Sequence, residues 1–321
     1  MNNPPPLPPQ QQVNSWERNT IEKLLLEVYR DRRRERTGRW VRFAILLFLL
    51  FLLFSVFSGD KKELSVAGVS APHTAVISLS GVIDSNNANA DKLIEGLEKA
   101  YENKQVKGII IRADSPGGSP VIADVAYNEL LRLRKMHNAI PVYVVAEDVC
   151  ASGCYYIAAA ADKIYANPAS LVGSIGVISS SFGATELIGK IGVERRLKTA
   201  GNNKGMGDPF SPETPEQQAI WQAMLDDIHQ QFINAVKNGR GPRLQWQHND
   251  DVFSGRVYTG NEAKKIGLID DFGNIYQVSR DVIGAQKMVD YTPKEDFSSL
   301  LGRRLGASVR QTWQTLQQPG W

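Results

Sequence analysis

The stretch that decides the fold is residues 148–162, whose sequence is DVCASGCYYIAAAAD. It follows a strongly apolar run, residues 141–146, which predicts a buried strand, and its alanine-rich end predicts a helix. Ser152 stands between small residues at the turn from strand to helix. A serine at such a corner is exposed beside backbone N–H groups that the helix leaves free. The pattern indicates a nucleophile elbow next to an oxyanion hole, although a tight turn that needs small residues would give the same pattern.

The composition is that of an ordinary globular protein with an uneven distribution of charge. The 321 residues are 42% hydrophobic and 22% charged, and the net charge is +3. Between residues 17 and 42, nine Arg or Lys side chains stand against five Asp or Glu, while the remainder is near neutral. This distribution argues against a nucleic-acid partner. Metal-ligand spacing is also missing from the sequence, and we expect neither a metal nor a cofactor.

An apolar run follows this basic segment. Residues 43–57, FAILLFLLFLLFSVF, include one polar side chain, Ser55. The run is slightly shorter than the ~20 residues of a typical spanning helix, but it is apolar on every face. A buried core helix and a cleaved signal peptide are the alternatives; the long preceding segment and the lack of an A-x-A site disfavour the latter. We expect residues 43–59 to be a signal anchor with a cytoplasmic N-terminus, because arginines precede it.

The cysteines and histidines are few. The two cysteines, Cys150 and Cys154, flank Ser152. A bond between them would have to close across a strand-to-helix turn, so we expect two buried free thiols. None of the four histidines lies in a segment of catalytic character, and we expect all of them at the surface: His73, His137, His229 and His248.

Strand and helix patterns alternate through the rest of the chain, which predicts parallel strands covered by helices. Strands are expected at residues 74–83, 106–113, 141–146, 163–166 and 175–179. Helices are expected at residues 89–102, 121–137 and 214–238, and a smaller strand–helix unit at 257–270.

Three glycine-rich motifs accompany the elbow. They are DSPGGS at residues 114–119, LVGSIGV at 171–177 and KTAGNNKGMG at 198–207. Adjacent glycines at the carboxyl end of a strand let backbone N–H groups point at an anion. A serine hydrolase also needs a base, and since no histidine is suitably placed, a lysine must serve. A lysine base has to be neutral, which requires burial away from carboxylates, and Lys204 can meet that condition if its loop is covered.

Four ordered segments resemble the short, single-repeat form of the signal peptide peptidase A family. They are residues 114–119, 151–177, 201–212 (GNNKGMGDPFSP) and 255–270 (GRVYTGNEAKKIGLID), and the resemblance covers about residues 74–285. It implies an α/β fold of repeated ββα units of the Clp/crotonase type and a membrane-tethered ring, an octamer in the family. It also implies a Ser/Lys dyad that degrades signal peptides left in the membrane.

Matched motif by motif, the resemblance implies that Ser152 is the nucleophile and Lys204 the general base. Ser174 would orient the lysine, and the N–H groups of Gly118 and Gly153 would form the oxyanion hole. Serine and lysine would meet across a subunit interface. One departure is Cys154, which stands where the motif has its second glycine.

The sequence is thus interpreted as a membrane-anchored serine endopeptidase that acts on remnant signal peptides and other apolar segments. We expect a cytoplasmic segment at residues 1–42, the anchor at 43–59, a linker at 60–73, a protease domain at 74–290 and a tail at 291–321. The protease domain would lie outside the bacterial inner membrane, in the periplasm. Two alternatives are a stomatin-clipping membrane protease of the same clan, which usually carries further spans, and a non-catalytic crotonase-like scaffold.

Overall fold

The computed structural model describes residues 23, 40, 43–49, 71–87, 89–248 and 250–294. The chain divides into two compact units, Met1–Glu63 and Leu64–Trp321. In the first unit, residues 43–49 are helical and exposed. Within the described ranges, no helix has the length and apolar character to cross a membrane. Most of the predicted anchor (43–59), nearly all of the cytoplasmic segment (1–42) and the predicted linker up to residue 70 lie outside the described residues, as does the tail beyond residue 294.

The second unit alternates strands and helices through its first half, as predicted. Its elements in chain order are β1 (His73–Ser80), α1 (Asn89–Glu102), β2 (Val106–Ser115), α2 (Pro120–Met136), β3 (Val142–Ala151), α3 (Gly153–Ala158), β4 (Lys163–Ala166) and β5 (Leu171–Gly173).

A longer and more exposed segment comes next. It holds α4 (Thr185–Lys190), α5 (Pro215–Arg240), three 3₁₀ turns (Gly241–Arg243, Trp246–His248, Asp250–Phe253), β6 (Val257–Thr259) and α6 (Gly260–Lys265). The described part ends with β7 (Asp271–Phe272), α7 (Ile275–Gln277), a π-helical turn (Val278–Ile283) and β8 (Met288–Asp290).

The sheet is parallel except at one edge. Its order is β6-β5-β3-β2-β1-β8, and only the pairing of β6 with β5 is antiparallel. β4 pairs with β3 on one side and β7 on the other. The structure is therefore a mixed α/β sheet, and the α/β class expected from the sequence is confirmed at that level.

Strand β3 forks the sheet. Its first part, Tyr143–Ala146, pairs with β4, whereas Val149–Ala151 pairs with β5. Against β2 the register jumps between the pairs Ala113↔Ala146 and Ser115↔Cys150, so β3 carries two extra residues there. A bulge of this kind bends a strand and re-aims its end. The bend separates the carboxyl end of β3 from β4 and places it beside β5.

Two clusters of buried side chains cover the faces of the sheet. The larger cluster lies under the helices and includes Leu93, Leu97, Leu130, Tyr155 and Val236. The smaller one, on the opposite face, consists of Val76, Ile110, Val145, Tyr165 and Val278. The elbow helix α3 is buried along its whole length, so the turn that precedes it is attached to the packed core.

Residues 176–213 lie between β5 and α5, and we refer to them as the arm. No residue from 176 to 231 is buried, and several large apolar side chains of the arm are exposed: Ile178, Phe182, Leu187, Ile191 and Val193. The strand predicted at residues 175–179 is wrong, because the chain turns away from the sheet at Ser174 and finds no partner strand. Helix α5 begins as predicted, with Thr214 and Gln217 forming a capping box.

A buried ion pair joins the end of α5 to the sheet. The Arg240 guanidinium is 1% exposed and donates to Asp270 over 2.7 Å and to the Gly267 carbonyl over 2.9 Å. The N–H of Ile164 donates to the same carboxylate over 2.7 Å. Burial alone would raise the pKa of Asp270, but the hydrogen bond and charge of Arg240, with further help from Arg243, hold it below the usual range.

We predict that Asp270→Ala lowers the free energy of unfolding by about 3–5 kcal/mol, because it leaves Arg240 buried and unpaired. A carboxyl whose folded pKa is depressed stabilises the fold above its unfolded pKa, and this contribution is lost as pH falls through the folded value. The free energy of unfolding of the wild type, measured with denaturant, should therefore fall below about pH 4. Part of that acid dependence should be missing from the variant.

The matched control is Asp271→Ala. Its carboxylate pairs with Lys264 at the exposed surface, so the loss should be under about 1 kcal/mol. Equal losses in the two variants would contradict a buried-pair role for Asp270.

Candidate active site

Ser152 occupies the sharp turn between β3 and α3. Its backbone has φ 52° and ψ −126°, an unusual conformation for a residue with a side chain. Such strain costs on the order of 1–3 kcal/mol and persists only where the surroundings enforce it. Here the Ser152 N–H donates to the Gly173 carbonyl over 2.8 Å, and its own carbonyl accepts from Tyr156 over 2.9 Å. The side chain makes no capping bond to α3 and is partly exposed, so its hydroxyl is free to react.

The DSPGGS loop packs directly against this turn. A Cβ on Gly117 (φ 97°) would lie 2.6 Å from the Gly153 nitrogen and 2.7 Å from the Ser152 Cβ. A Cβ on Gly118 would lie 2.1 Å from the Ile83 carbonyl oxygen. The Ile83 N–H donates to the Gly117 carbonyl over 2.8 Å, which fixes the loop. Both glycines are required because two pieces of backbone meet here without room for a side chain.

The two expected oxyanion donors lie side by side. The Gly118 nitrogen is 3.3 Å from the Cβ position of Gly153. The Gly118 N–H donates to no acceptor among the described residues. Gly153 is the first residue of α3, where an N–H has no acceptor within the helix. The structure thus brings Gly118, Gly153 and Ser152 together, and two adjacent free N–H groups can stabilise an oxyanion beside the serine.

Ser174 stands at the equivalent place on the neighbouring strand. Ala151 pairs with Gly173, so Ser152 and Ser174 each follow the last paired residue of two adjacent parallel strands. Ser174 also has a positive φ of 52°, and its N–H donates to the Arg256 carbonyl over 2.9 Å. Both serines therefore leave the carboxyl edge of the sheet through turns of similar strain.

Lys204 is carried by the arm. It lies in an exposed turn of the arm, where its N–H donates to the Gly201 carbonyl over 3.1 Å. The turn rests on the arm itself and on α5, since a Cβ on Gly207 would lie 3.4 Å from Trp221. In the described part of one chain, no hydrogen bond or ion pair joins the Lys204 side chain to another residue.

Two cavities flank these elements. One of about 620 Å³ lies at the fork of β3 and is lined in part by Arg112, Glu147, Val149 and Leu171. Another, of about 320 Å³, lies within the arm beside Leu197, Gly205 and Gln217. Among the described residues, no group of three or more His, Cys, Asp or Glu side chains is placed to hold a metal ion.

The expectation of two free thiols is wrong. Cys150 and Cys154 form a disulfide, with their Cα atoms 5.2 Å apart. The sharp turn at Ser152 brings the Cα atom of Cys154 near that of Cys150, within the usual Cα–Cα range of a disulfide. Both side chains are buried, at 1% and 0% exposure. The bond closes a small ring of chain around Ser152 and Gly153.

The expected surface positions of the histidines are also partly wrong. His73 is fully buried and bonds Tyr291 over 2.9 Å. His137 is half-buried and stacks on Tyr101. His229 is half-buried on α5, and its Nε2 lies 3.0 Å from the Ile175 carbonyl oxygen. The sequence carried a signal for this position, because His229 precedes the buried Phe232 by one helical turn and so lies on the same face of α5. The side chain of His248 lies outside the described residues.

We predict that removing the disulfide with Cys150→Ala/Cys154→Ala lowers the free energy of unfolding by about 2 kcal/mol, since even a short closed loop restricts the unfolded chain. Denaturant unfolding without reductant measures this. A thiol reductant should weaken the wild type and leave the double variant unchanged. Equal stability of the two proteins under oxidising conditions would show that the bond does not form.

The chain is similar to known peptidases. The profile of peptidase family S49 matches residues 134–288, which include Ser152, Ser174 and Lys204. The "Putative signal peptide peptidase SppA" of Enterococcus faecium is 30% identical over 241 residues, covering 74% of this chain and 69% of that protein.

Two further similarities differ in extent. A Brucella melitensis protein named "Na(+)/H(+) antiporter NhaA" is 44% identical over 210 residues; these are 65% of this chain but only 28% of the Brucella protein. Among solved structures, a mutant of the 1510-N membrane-bound stomatin-specific protease with a substrate peptide has a TM-score of 0.44 and 17% identity. That match covers 73% of this chain and 97% of the other. The family profile and the Enterococcus relative together show that this chain belongs to peptidase family S49, among the signal peptide peptidase A proteins.

Proposed function

We propose that this chain is a serine endopeptidase in which Ser152 is the nucleophile and Lys204 the general base. The observation that carries the proposal is the strained turn of Ser152 beside the free N–H groups of Gly118 and Gly153. A non-glycine residue is held in this conformation only at a cost, and that cost is typical of sites where geometry serves chemistry. The family to which the chain belongs supports peptide hydrolysis as that chemistry.

In the proposed reaction each of these groups has one role. The Ser152 Oγ attacks the scissile carbonyl carbon while Lys204 Nζ accepts its proton, and the two glycine N–H groups stabilise the oxyanion. As the tetrahedral intermediate collapses, the lysine returns the proton to the leaving amine, which gives an acyl-enzyme. Water, deprotonated by the same lysine, then attacks the ester carbonyl. As this second tetrahedral intermediate collapses, the ester C–O bond breaks, the lysine returns the proton to Ser152 Oγ and the acid product leaves. Ser174 holds the lysine in line by a hydrogen bond.

A lysine can act as base only when it is neutral, and neutrality requires removal from water. Lys204 is exposed in the described protomer. A second copy of the chain must therefore cover it, and the exposed apolar side chains of the arm support this contact, led by Ile178 and Phe182 at 93% and 91% exposure. The proposal is a closed homo-oligomer in which the arm of one copy brings Lys204 to Ser152 of the next. The family resemblance suggests eight copies.

The proposal extends to the substrates and the location. Remnant signal peptides and other apolar segments fit the name of the Enterococcus relative. The proposed protease domain spans residues 74–290 and lies outside the inner membrane, held by an anchor at residues 43–59. The disulfide supports this side of the membrane, because such bonds persist in oxidising compartments.

We predict that Ser152→Ala and Lys204→Ala each lower the rate of peptide hydrolysis by at least about 10³-fold, and that the double variant loses no more, since the two residues act as one unit. Cleavage of a labelled apolar peptide measures the rate. The matched control is Lys198→Ala, another exposed lysine of the same arm, which should retain activity. A Lys204→Ala enzyme that retained its rate would exclude the dyad.

We predict that mixing the inactive Ser152→Ala and Lys204→Ala proteins restores activity. In a ring with shared sites and random co-assembly, about one quarter of the sites pair an intact serine with an intact lysine from the neighbour. The measurement is the hydrolysis rate after the two proteins have been dissociated and reassembled together, with co-assembly checked by two affinity tags. Mixed rings without activity would place both residues of the dyad in one chain.

A further inference from the structure

We propose that His229 is a positioning residue that holds Ser174 in the conformation that the lysine base requires. This inference rests on the proposed function. The Nε2 of His229 lies 3.0 Å from the carbonyl oxygen of Ile175, the residue that follows Ser174. Nothing in the Ser/Lys chemistry itself uses His229, and the contact joins α5 to the turn at the end of β5.

The Ser174 turn needs support from outside. Its φ of 52° is unfavourable for a residue with a Cβ, so the conformation persists only where neighbouring groups enforce it. On its amino side, the Ser174 N–H is held by the Arg256 carbonyl over 2.9 Å. On its carboxyl side, the carbonyl of Ile175 is held by His229. The two bonds fix the backbone on both sides of Ser174 and so fix the direction of its Cα–Cβ bond.

The same contact closes the base of the arm. Ile175 is fully buried, and the next buried residue along the chain is Phe232, one helical turn after His229. The chain leaves the core at Ile175, runs through the arm that carries Lys204, and returns along α5. His229 therefore bonds the outgoing segment to the returning one, 54 residues apart in sequence. A single hydrogen bond fixes both Ser174 and the start of the segment that carries the base.

The chemistry of the contact sets which substitutes can replace His229. Only a donor can bond a carbonyl oxygen, so Nε2 carries a hydrogen in the contact. A glutamine side chain can also donate an N–H from a similar distance. A leucine fills similar space with no donor. Comparison of these two variants therefore separates the hydrogen bond from the packing.

The first measurement compares His229→Leu and His229→Gln with the wild type in steady-state hydrolysis of a labelled apolar peptide. We expect His229→Leu to lower kcat by about 10-fold or more with KM changed less than about 2-fold, because the defect lies in the transition state. His229→Gln should recover most of kcat. The matched control is His137→Leu, also a half-buried histidine, which stacks on Tyr101 and should leave kcat unchanged.

A double-mutant cycle supplies the second measurement. If His229 acts through Ser174, then His229→Leu should cause no further loss of kcat in a Ser174→Ala background. If the kcat loss of the double variant equals the product of the two single losses, the proposal is overturned and His229 has a general structural role. A wild-type kcat in His229→Leu would also overturn it. So would failure of both His229→Leu and His229→Ala to fold, since the residue would then serve stability.

The two proposals fail in different ways. Retained activity in Lys204→Ala would refute the Ser/Lys dyad. An inactive Lys204→Ala together with an unaffected His229→Leu would leave the dyad standing and refute the positioning role alone.

Discussion

The hydrogen bond from the Ser152 N–H to the Gly173 carbonyl is the constraint on which the site depends. It is the last hydrogen bond between two parallel strands, and the strands turn sharply at Ser152 and Ser174. Ser152 and Ser174 thereby leave the sheet at the same edge, in turns with the same φ of 52°. The fork of β3 makes this pairing available, because the bulge after Ala146 separates the end of β3 from β4 and brings it to β5. Strain at the site is thus enforced by ordinary sheet pairing.

The protein divides its tasks between a rigid sheet edge and an exposed arm. The Ser152 turn is supported by a buried helix, two glycines without room for a Cβ and the Cys150–Cys154 disulfide. Lys204, by contrast, lies on an arm that has no buried residue. Under the proposed mechanism this arrangement makes activity conditional on assembly, because an isolated protomer has the strained serine turn but no second chain to cover Lys204.

Sequence periodicity and motif chemistry predicted a large part of this. Helix α1 occurs at residues 89–102 as expected, and β4 at 163–166, because regular burial on one face leaves a periodic pattern in the sequence. The elbow at Ser152 was predictable since a strand, small residues and an alanine-rich helix follow each other directly. Gly118 and Gly153 were expected to lie together and do so. Short-range geometry determines the helix, the strand and the elbow, so local residues are sufficient to specify them. The meeting of Gly118 and Gly153 is a long-range contact that was expected from the family resemblance.

Only the tertiary structure decided the features that depend on residues far apart in the sequence. The disulfide was missed because a spacing of four residues does not reveal how sharply the Ser152 turn reverses the chain. The strand predicted at 175–179 was wrong because strand formation needs a partner, and no local pattern shows that Ser174 turns the chain off the sheet. The contact of His229 with Ile175 spans 54 residues and follows from how α5 packs. By itself, the sequence determined the elbow, the glycine loops and the alternation of elements, because these are local. Their pairing, the fork of β3 and the exposure of Lys204 depend on packing across the whole chain.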